Sequence, residues 1–282
     1  MKLEDLNQKI ESLDVGESLR LESVPEDVYH ASEGFGSTAI KEANKSLAHL
    51  KVMRDGKKEI SATLQAIFDL GSATHAAVLE GDSVLNEKFI CAPSLDKRTK
   101  AGKEAWAELK ESGKTVLKAE DWEHVMGMRA CLYDHPAANR LLTGGNAEVS
   151  YWKRYSENMI LKARVDSEVG DLAVDLKTTK DASPYRFKST VKYDYGLQSA
   201  LYTMVTGANA FVFVGIEKVP PYAFSIVKQG DDIIEMNQKK LGFILSDIDA
   251  AIESGLWAGY DNADLHETEL TEKELERMNN EQ

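Results

Sequence analysis

The chain has 282 residues, of which 43% are apolar and 29% charged. That is enough apolar content to bury a core, and no apolar run approaches the roughly 20 residues that a bilayer span needs. The start, MKLEDLNQKIESLD, is acidic and polar where a secretory signal is basic and then apolar, so a cytoplasmic protein is expected. Cys91 and Cys131 form no CxxC pair, which excludes a disulfide framework, a zinc finger and a four-cysteine iron–sulfur cluster. No GxxxxGK[ST] motif is present, so the chain is no helicase.

Net charge is −13, which argues against a polyanionic partner, because nucleic-acid affinity comes mostly from neutralised phosphates. The distribution alters that reading. Residues 1–34 carry 3 basic and 9 acidic groups and 231–282 carry 4 and 14, so the middle, 35–230, keeps 27 basic against 24 acidic. Three regions are therefore expected: a flexible acidic leader over 1–28, one domain over 29–260, and an acidic, disordered tail over 261–282.

In chain order, 37–53 reads as a helix with Ala39, Ala43, Leu47 and Leu50 on one face. A second helix spans 61–79, with Leu64, Ile67, Phe68, Gly71, His75 and Val78 on its inward side. Residues 94–118 hold 7 Lys/Arg and 4 Asp/Glu, a basic loop entering a short helix. Within it, Lys97, Arg98, Lys100 and Lys103 are candidates to line a DNA channel. Helices follow over 119–133 and from His135-Pro136 through Leu142. EVSYWKRY and NMILKARVD, split by Ser156-Glu157, read as a hairpin, and DLAVDLKTT adds a third antiparallel strand. A helix over 195–206, the strands AFVFVGIEK and YAFSIVKQ, and a helix over 231–254 complete the domain.

Residues two apart on a strand share a face. In VDLK, Asp175 and Lys177 project together, while Leu176 turns away and leaves its carbonyl available. On the preceding strand Asp166 shares a face with Arg164 and Lys162. If the strands pair as a meander, Asp166 and Asp175 come within reach of one metal ion, with Lys177 beside them. Two carboxylates and a carbonyl are hard ligands that suit Mg²⁺ or Mn²⁺ better than zinc. A lysine next to them fits phosphodiester hydrolysis, and the Arg164 fork suits a phosphate contact. An isolated D-x-K is more often a surface pair, and what sets this one apart is its company.

Gly71, His75 and Glu80 in GSATHAAVLE, Asp166 in ARVD, Asp175 to Thr178 in DLKT, and Gln198 with Tyr202 in QSALY occur in that order. The set resembles the RecB-like branch of the PD-(D/E)XK nuclease superfamily, in which a helical histidine, two acidic strands with a lysine and a Q-x-x-x-Y helix build one site. With YHAS at 29–32, Ser37, AEVSYW, VFVGIEKVPPY and GLWAGY, it is similar to the RecE (exodeoxyribonuclease VIII) C-terminal nuclease family over about 29–260.

That resemblance implies an α/β fold with a restriction-endonuclease-like core, a mixed central sheet flanked by helices and an N-terminal helical region. It implies a two-metal-type, Mg²⁺-dependent exonuclease that degrades linear double-stranded DNA 5′→3′ and leaves a 3′ single strand for a RecT-type annealing protein. It further implies a ring-shaped homo-oligomer through which DNA threads. Residue by residue, Asp166 and Asp175 match the metal carboxylates, Lys177 the catalytic lysine, and His75 the histidine near the second metal position. Leu176 lends its carbonyl, and Glu148 matches an acidic position near the metals. Gln198 and Tyr202, four apart on a helix, reach the scissile strand or brace the lysine. Lys162 and Arg164 are candidate DNA contacts. A related single-strand nuclease or endonuclease, and an inactive DNA-end-binding scaffold, stay open as alternatives.

Overall fold

The computed structural model describes residues 1–56, 61–92 and 99–260, together with 272 and 275, and of Lys110 the backbone alone. In chain order come α1 (Leu3–Glu11), β1 (Ser18–Leu21), α2 (Glu26–Ala31), α3 (Ser37–Ala43), α4 (Leu47–Arg54) and α5 (Ala62–His75), which runs into a π-helical turn at Ala76–Glu80. Then follow α6 (Asp82–Lys88), β2 (Phe89–Cys91), α7 (Lys100–Glu111), β3 (Thr115–Leu117), α8 (Ala119–Asp134) and α9 (Pro136–Thr143). The second half holds β4 (Asn146–Ser156), β5 (Met159–Val169), β6 (Leu172–Thr179), α10 (Pro184–Tyr193), α11 (Gly196–Thr206), β7 (Ala210–Glu217), β8 (Phe224–Lys228) and α12 (Asp231–Ser254).

The main sheet is mixed, in the order β1-β4-β5-β6-β7-β8. Only β6 and β7 run parallel, joined by the α10–α11 crossover, and every other neighbouring pair is antiparallel. β7 reads as a continuous apolar run because both of its faces are covered. Phe211 and Phe213 face α11 and α12, while Val212, Val214 and Ile216 face the layer of α5, α8 and α9. The expected α/β architecture, a central sheet flanked by helices, is what the chain adopts. Gly215 stands opposite Lys177, and a Cβ there would lie 2.3 Å from the Phe187 ring, so glycine lets α10 close over the strand that carries the lysine.

Three expectations change. Residues 1–28 are no mobile leader: β1 adds to the sheet beside β4, and Leu6 and Ile10 are fully buried with Trp152 and Ile160. Each such burial contributes about 1.5–3 kcal/mol, and the Arg154 guanidinium donates to the carbonyls of Ile10, Glu11 and Leu13 at the end of α1. The helix expected over 37–53 is two helices, α3 and α4, because Ser46 caps the second and its Oγ accepts the His49 amide at 3.3 Å. The stripe assigned inward on α5 divides. Val78 is buried, but Leu64, Ile67 and Phe68 are 39%, 43% and 48% exposed, and the helix buries Leu70, Ala73 and Thr74 instead. The segment expected to be an acidic tail lies outside the described residues apart from 272 and 275.

Candidate metal and phosphodiester site

β5 and β6 pair only at one end, through Val169↔Leu172, Glu168↔Ala173 and Ser167↔Val174. The next opposed residues are Asp166 and Asp175, where the strands part. Parting frees two backbone groups of Leu176, and each must find a partner. The Leu176 amide donates to Asp166 Oδ2 at 2.7 Å, and the Leu176 carbonyl meets His75 Nε2 at 2.9 Å. The fork is thus where a carboxylate from β5 and an imidazole from α5 converge on β6.

On the other side of Asp166, Ala147 pairs with Ser167 and Val149 with Val165, so Glu148 lies across from it on β4. Glu148 has a left-handed backbone, φ 53°, unusual for a residue with a Cβ and a strain that marks functional positions. Its carboxylate takes the Arg164 guanidinium and stands 3.9 Å from His75 Nδ1, which is 3.5 Å from Asp166 Oδ2. One donor atom from each of His75, Glu148 and Asp166 fits within a 4.8 Å cluster. Asp175 completes the wall: Lys177 Nζ sits 2.6 Å from its Oδ2, and the Gln198 amide donates to its Oδ1.

Burial pushes the Asp166 carboxyl up to about 7, with Asp175 and Glu148 adding to the push against His75 and Lys177. Burial alone would lower His75, yet the Asp166 and Glu148 carboxylates outweigh it and hold it at about 9. Glu148 is held below its ordinary range: burial would raise it, and His75 and Arg164 more than reverse that. Lys177 is raised, since Asp175 and Asp166 outweigh its desolvation. This crowd of acids around one imidazole fits a divalent cation, which would replace the protons that Asp166 and His75 retain.

All these groups line one cavity of about 1020 Å³, together with Tyr29, Arg164, Gln198 and Tyr202. Among the expected DNA contacts, Arg164 lines the cavity but is committed to Glu148, the Val24 carbonyl at 2.9 Å and the Tyr29 ring. Lys162 does not reach the cavity: its ammonium is buried and donates to the carbonyls of Tyr29, His30 and Ser32 at 3.0, 3.2 and 2.7 Å. It staples the N-terminal segment to β5, which leaves its ammonium no place in a DNA contact. Lys100 and Lys103 are exposed on α7 and do not line the cavity, while Lys97 and Arg98 lie outside the described residues. Gln198 holds Asp175 rather than the open cavity, and the Tyr202 hydroxyl lies at the Arg164 backbone.

Sequence reasoning passed over Tyr195 and Lys41, which also line the cavity. Tyr195 precedes Gln198 by three residues and Tyr202 by seven, the same helical face, which is a signal that could have found it.

Comparison with known proteins bears on the family and the fold. Residues 36–267 match the family described as PDDEXK-like domain of unknown function (DUF3799). The chain belongs to that family. Among solved structures it is similar to one from Eubacterium rectale titled "Putative exonuclease", with 12% identity, a TM-score of 0.58, and coverage of 90% of this chain and 98% of that one. An alkaline exonuclease from Laribacter hongkongensis also matches, at 16% identity and a TM-score of 0.30, covering 65% of this chain and 95% of that one. The first likeness concerns the fold alone. No curated protein matches the chain.

Proposed function

We propose that this protein is a Mg²⁺-dependent exonuclease that degrades the 5′-ended strand of linear double-stranded DNA. It leaves a 3′ single strand for homologous recombination by single-strand annealing. The observation that carries the nuclease reading is the fork itself: an acidic cluster with one imidazole, bordered by a half-buried lysine that is paired and still faces the cavity. His75, Glu148, Asp166 and the Leu176 carbonyl would hold the cation, with Asp175 beside them, and Mn²⁺ would substitute. A bound divalent ion supplies a water of lowered pKa and neutralises charge on the phosphoryl oxygens.

The protein's own groups do the rest. Lys177, raised and therefore charged at neutral pH, orients the attacking water and stabilises the negative charge that grows on phosphorus oxygens. Asp175 keeps that ammonium in place, and Gln198 keeps Asp175 in place. Arg164 braces Glu148.

The 5′→3′ polarity, the RecT-type annealing partner and the cytoplasm of a bacterial or phage-infected cell rest on the RecE resemblance. A ring-shaped homo-oligomer threaded on DNA reconciles a net charge of −13 with a polyanionic substrate, since enclosure replaces electrostatic grip.

The test is digestion of a linear duplex labelled separately at its 5′ and 3′ ends, beside a closed circle, in Mg²⁺ or EDTA. Early Mg²⁺-dependent release of the 5′ label, with the 3′ label on long strands and an intact circle, is expected. A cut circle makes the protein an endonuclease, and no cleavage with Mg²⁺ or Mn²⁺ makes it a binding scaffold.

A further inference from the structure

The cavity has a cationic wall that the acidic cluster leaves unused. Ser37, Thr38 and Lys41 of α3 line it, as does Tyr195. Lys41 Nζ stands 5.0 Å from the Tyr195 ring centroid, and Lys177 Nζ stands 5.2 Å from the same centroid. Stacking on Phe213, with centroids 5.4 Å apart and planes at 23°, fixes the ring.

The two ammonium groups differ in their company. Lys177 has Asp175 at 2.6 Å. Lys41, among the described residues, has only the more distant charges of Asp175 and Asp194, and both its partial burial and the like charge of Lys177 work against its protonated form. A half-buried ammonium with an aromatic ring and no ion-pair partner is stabilised by a ligand of opposite charge. Serine and threonine hydroxyls on the same wall are further donors to such a ligand.

We propose that Lys41, which shares the Tyr195 ring with Lys177, forms an anion subsite that takes a phosphate of the bound strand next to the one being cut. Tyr195 sets the separation of the two ammonium groups, so that a strand engaging Lys41 presents its neighbouring phosphate to the fork. The subsite rests on the nuclease reading, and it makes Lys41 a substrate-positioning residue and not a ligand of the cation.

The test uses the full chain with a fluorescent 20-base-pair duplex in Ca²⁺, carrying either 5′-phosphate or 5′-hydroxyl ends, over a salt series. Lys41→Met is expected to weaken binding about tenfold and to reduce the slope of log affinity against log salt by about 0.9, the share of one phosphate contact. Lys41→Arg is expected to restore both, and Mn²⁺ affinity of the DNA-free protein is expected to stay the same in all three proteins. A loss confined to 5′-phosphate ends assigns the anion as the terminal phosphate, and a loss with both ends assigns it as an internal phosphodiester. Unchanged affinity and slope in Lys41→Met overturn the subsite, as does a loss that arginine fails to rescue and that lowers Mn²⁺ affinity. If the wild-type chain neither binds nor cuts DNA, the nuclease reading falls alone when inorganic phosphate still binds in a Lys41-dependent way, and both fall when it does not.

Discussion

Lys162, Arg164 and Asp166 alternate along one face of β5, yet the two ends of that row behave as different regions. At one end, Lys162 is enclosed by three carbonyls and no carboxylate, and burial pushes its ammonium down to about 8. At the other, across the fork, Lys177 is half-buried and faces Asp175, and its charge is reinforced. Desolvation works against the charge of both, so it does not decide the role of such a lysine; the charge beside it does. Neutral carbonyls make a staple that holds chain to chain. A carboxylate facing an open cavity makes a cation that can act on a third party.

The sharpest way to break that contrast is to remove each charge in turn. Lys177→Met is expected to lower the cleavage rate by about 10²–10³-fold, the usual cost of losing one preorganised charge at a reacting centre, while circular dichroism stays native. Cleavage at the wild-type rate would sink the assignment. Asp166→Asn should abolish cleavage and, unlike Lys177→Met, raise the stability of the metal-free protein. Asp166 has a folded pKa raised from 3.8 to about 7, so the stability it contributes is present at low pH and lost as pH rises through 7. At pH 8 the metal-free Asn variant, which keeps an oxygen for the Leu176 amide, should melt higher by roughly 2–4 °C for each kcal/mol relieved. It should also lose the rise in melting temperature that Mn²⁺ gives the wild type. A lower melting temperature would show that the carboxylate is not under strain.

The ligands predict a pH dependence as well. Cation binding must displace the protons that Asp166 holds up to about 7 and His75 up to about 9, so apparent Mn²⁺ affinity should rise from pH 6 to 9, by up to about tenfold per unit for each proton released. Titrations at pH 6, 7.5 and 9 measure this, and a flat profile would remove these two groups from the ligand set.

Much of the fork was legible because strand alternation has a strict period. Once DLAVDLKTT and NMILKARVD are read as neighbouring strands, Asp166, Asp175 and Lys177 fall together, and the inward turn of His75 follows from helix spacing. What escaped the reading depends on contacts remote in sequence. The stripe Leu3, Leu6, Ile10 and Leu13 was present, but nine acidic groups in 1–34 concealed it, and its partner Trp152 lies in another part of the chain. Lys162 looked like an exposed cation because alternation gives the face and not what covers it. Ile67 and Phe68 looked like core for the same reason, although they line the cavity. Lys41 lay off the apolar face named for 37–53, and only the fold brings Tyr195 against it.

The smallest effect returns to the staple. Lys162 has a folded pKa lowered from 10.5 to about 8, so between those values the unfolded chain binds more protons than the folded one. Stability from this group therefore rises with pH across that window, by at most about 1.4 kcal/mol per unit. Lys162→Met removes this gain along with the hydrogen bonds to Tyr29, His30 and Ser32, whose loss costs about 1–3 kcal/mol. Urea unfolding at pH 7 and pH 10 should show the wild type exceeding the variant by more at pH 10. An equal or smaller difference at pH 10 would mean that the carbonyl cage holds the charged ammonium without penalty. The two lysines would then differ only in what they face, and no longer in how readily they carry charge.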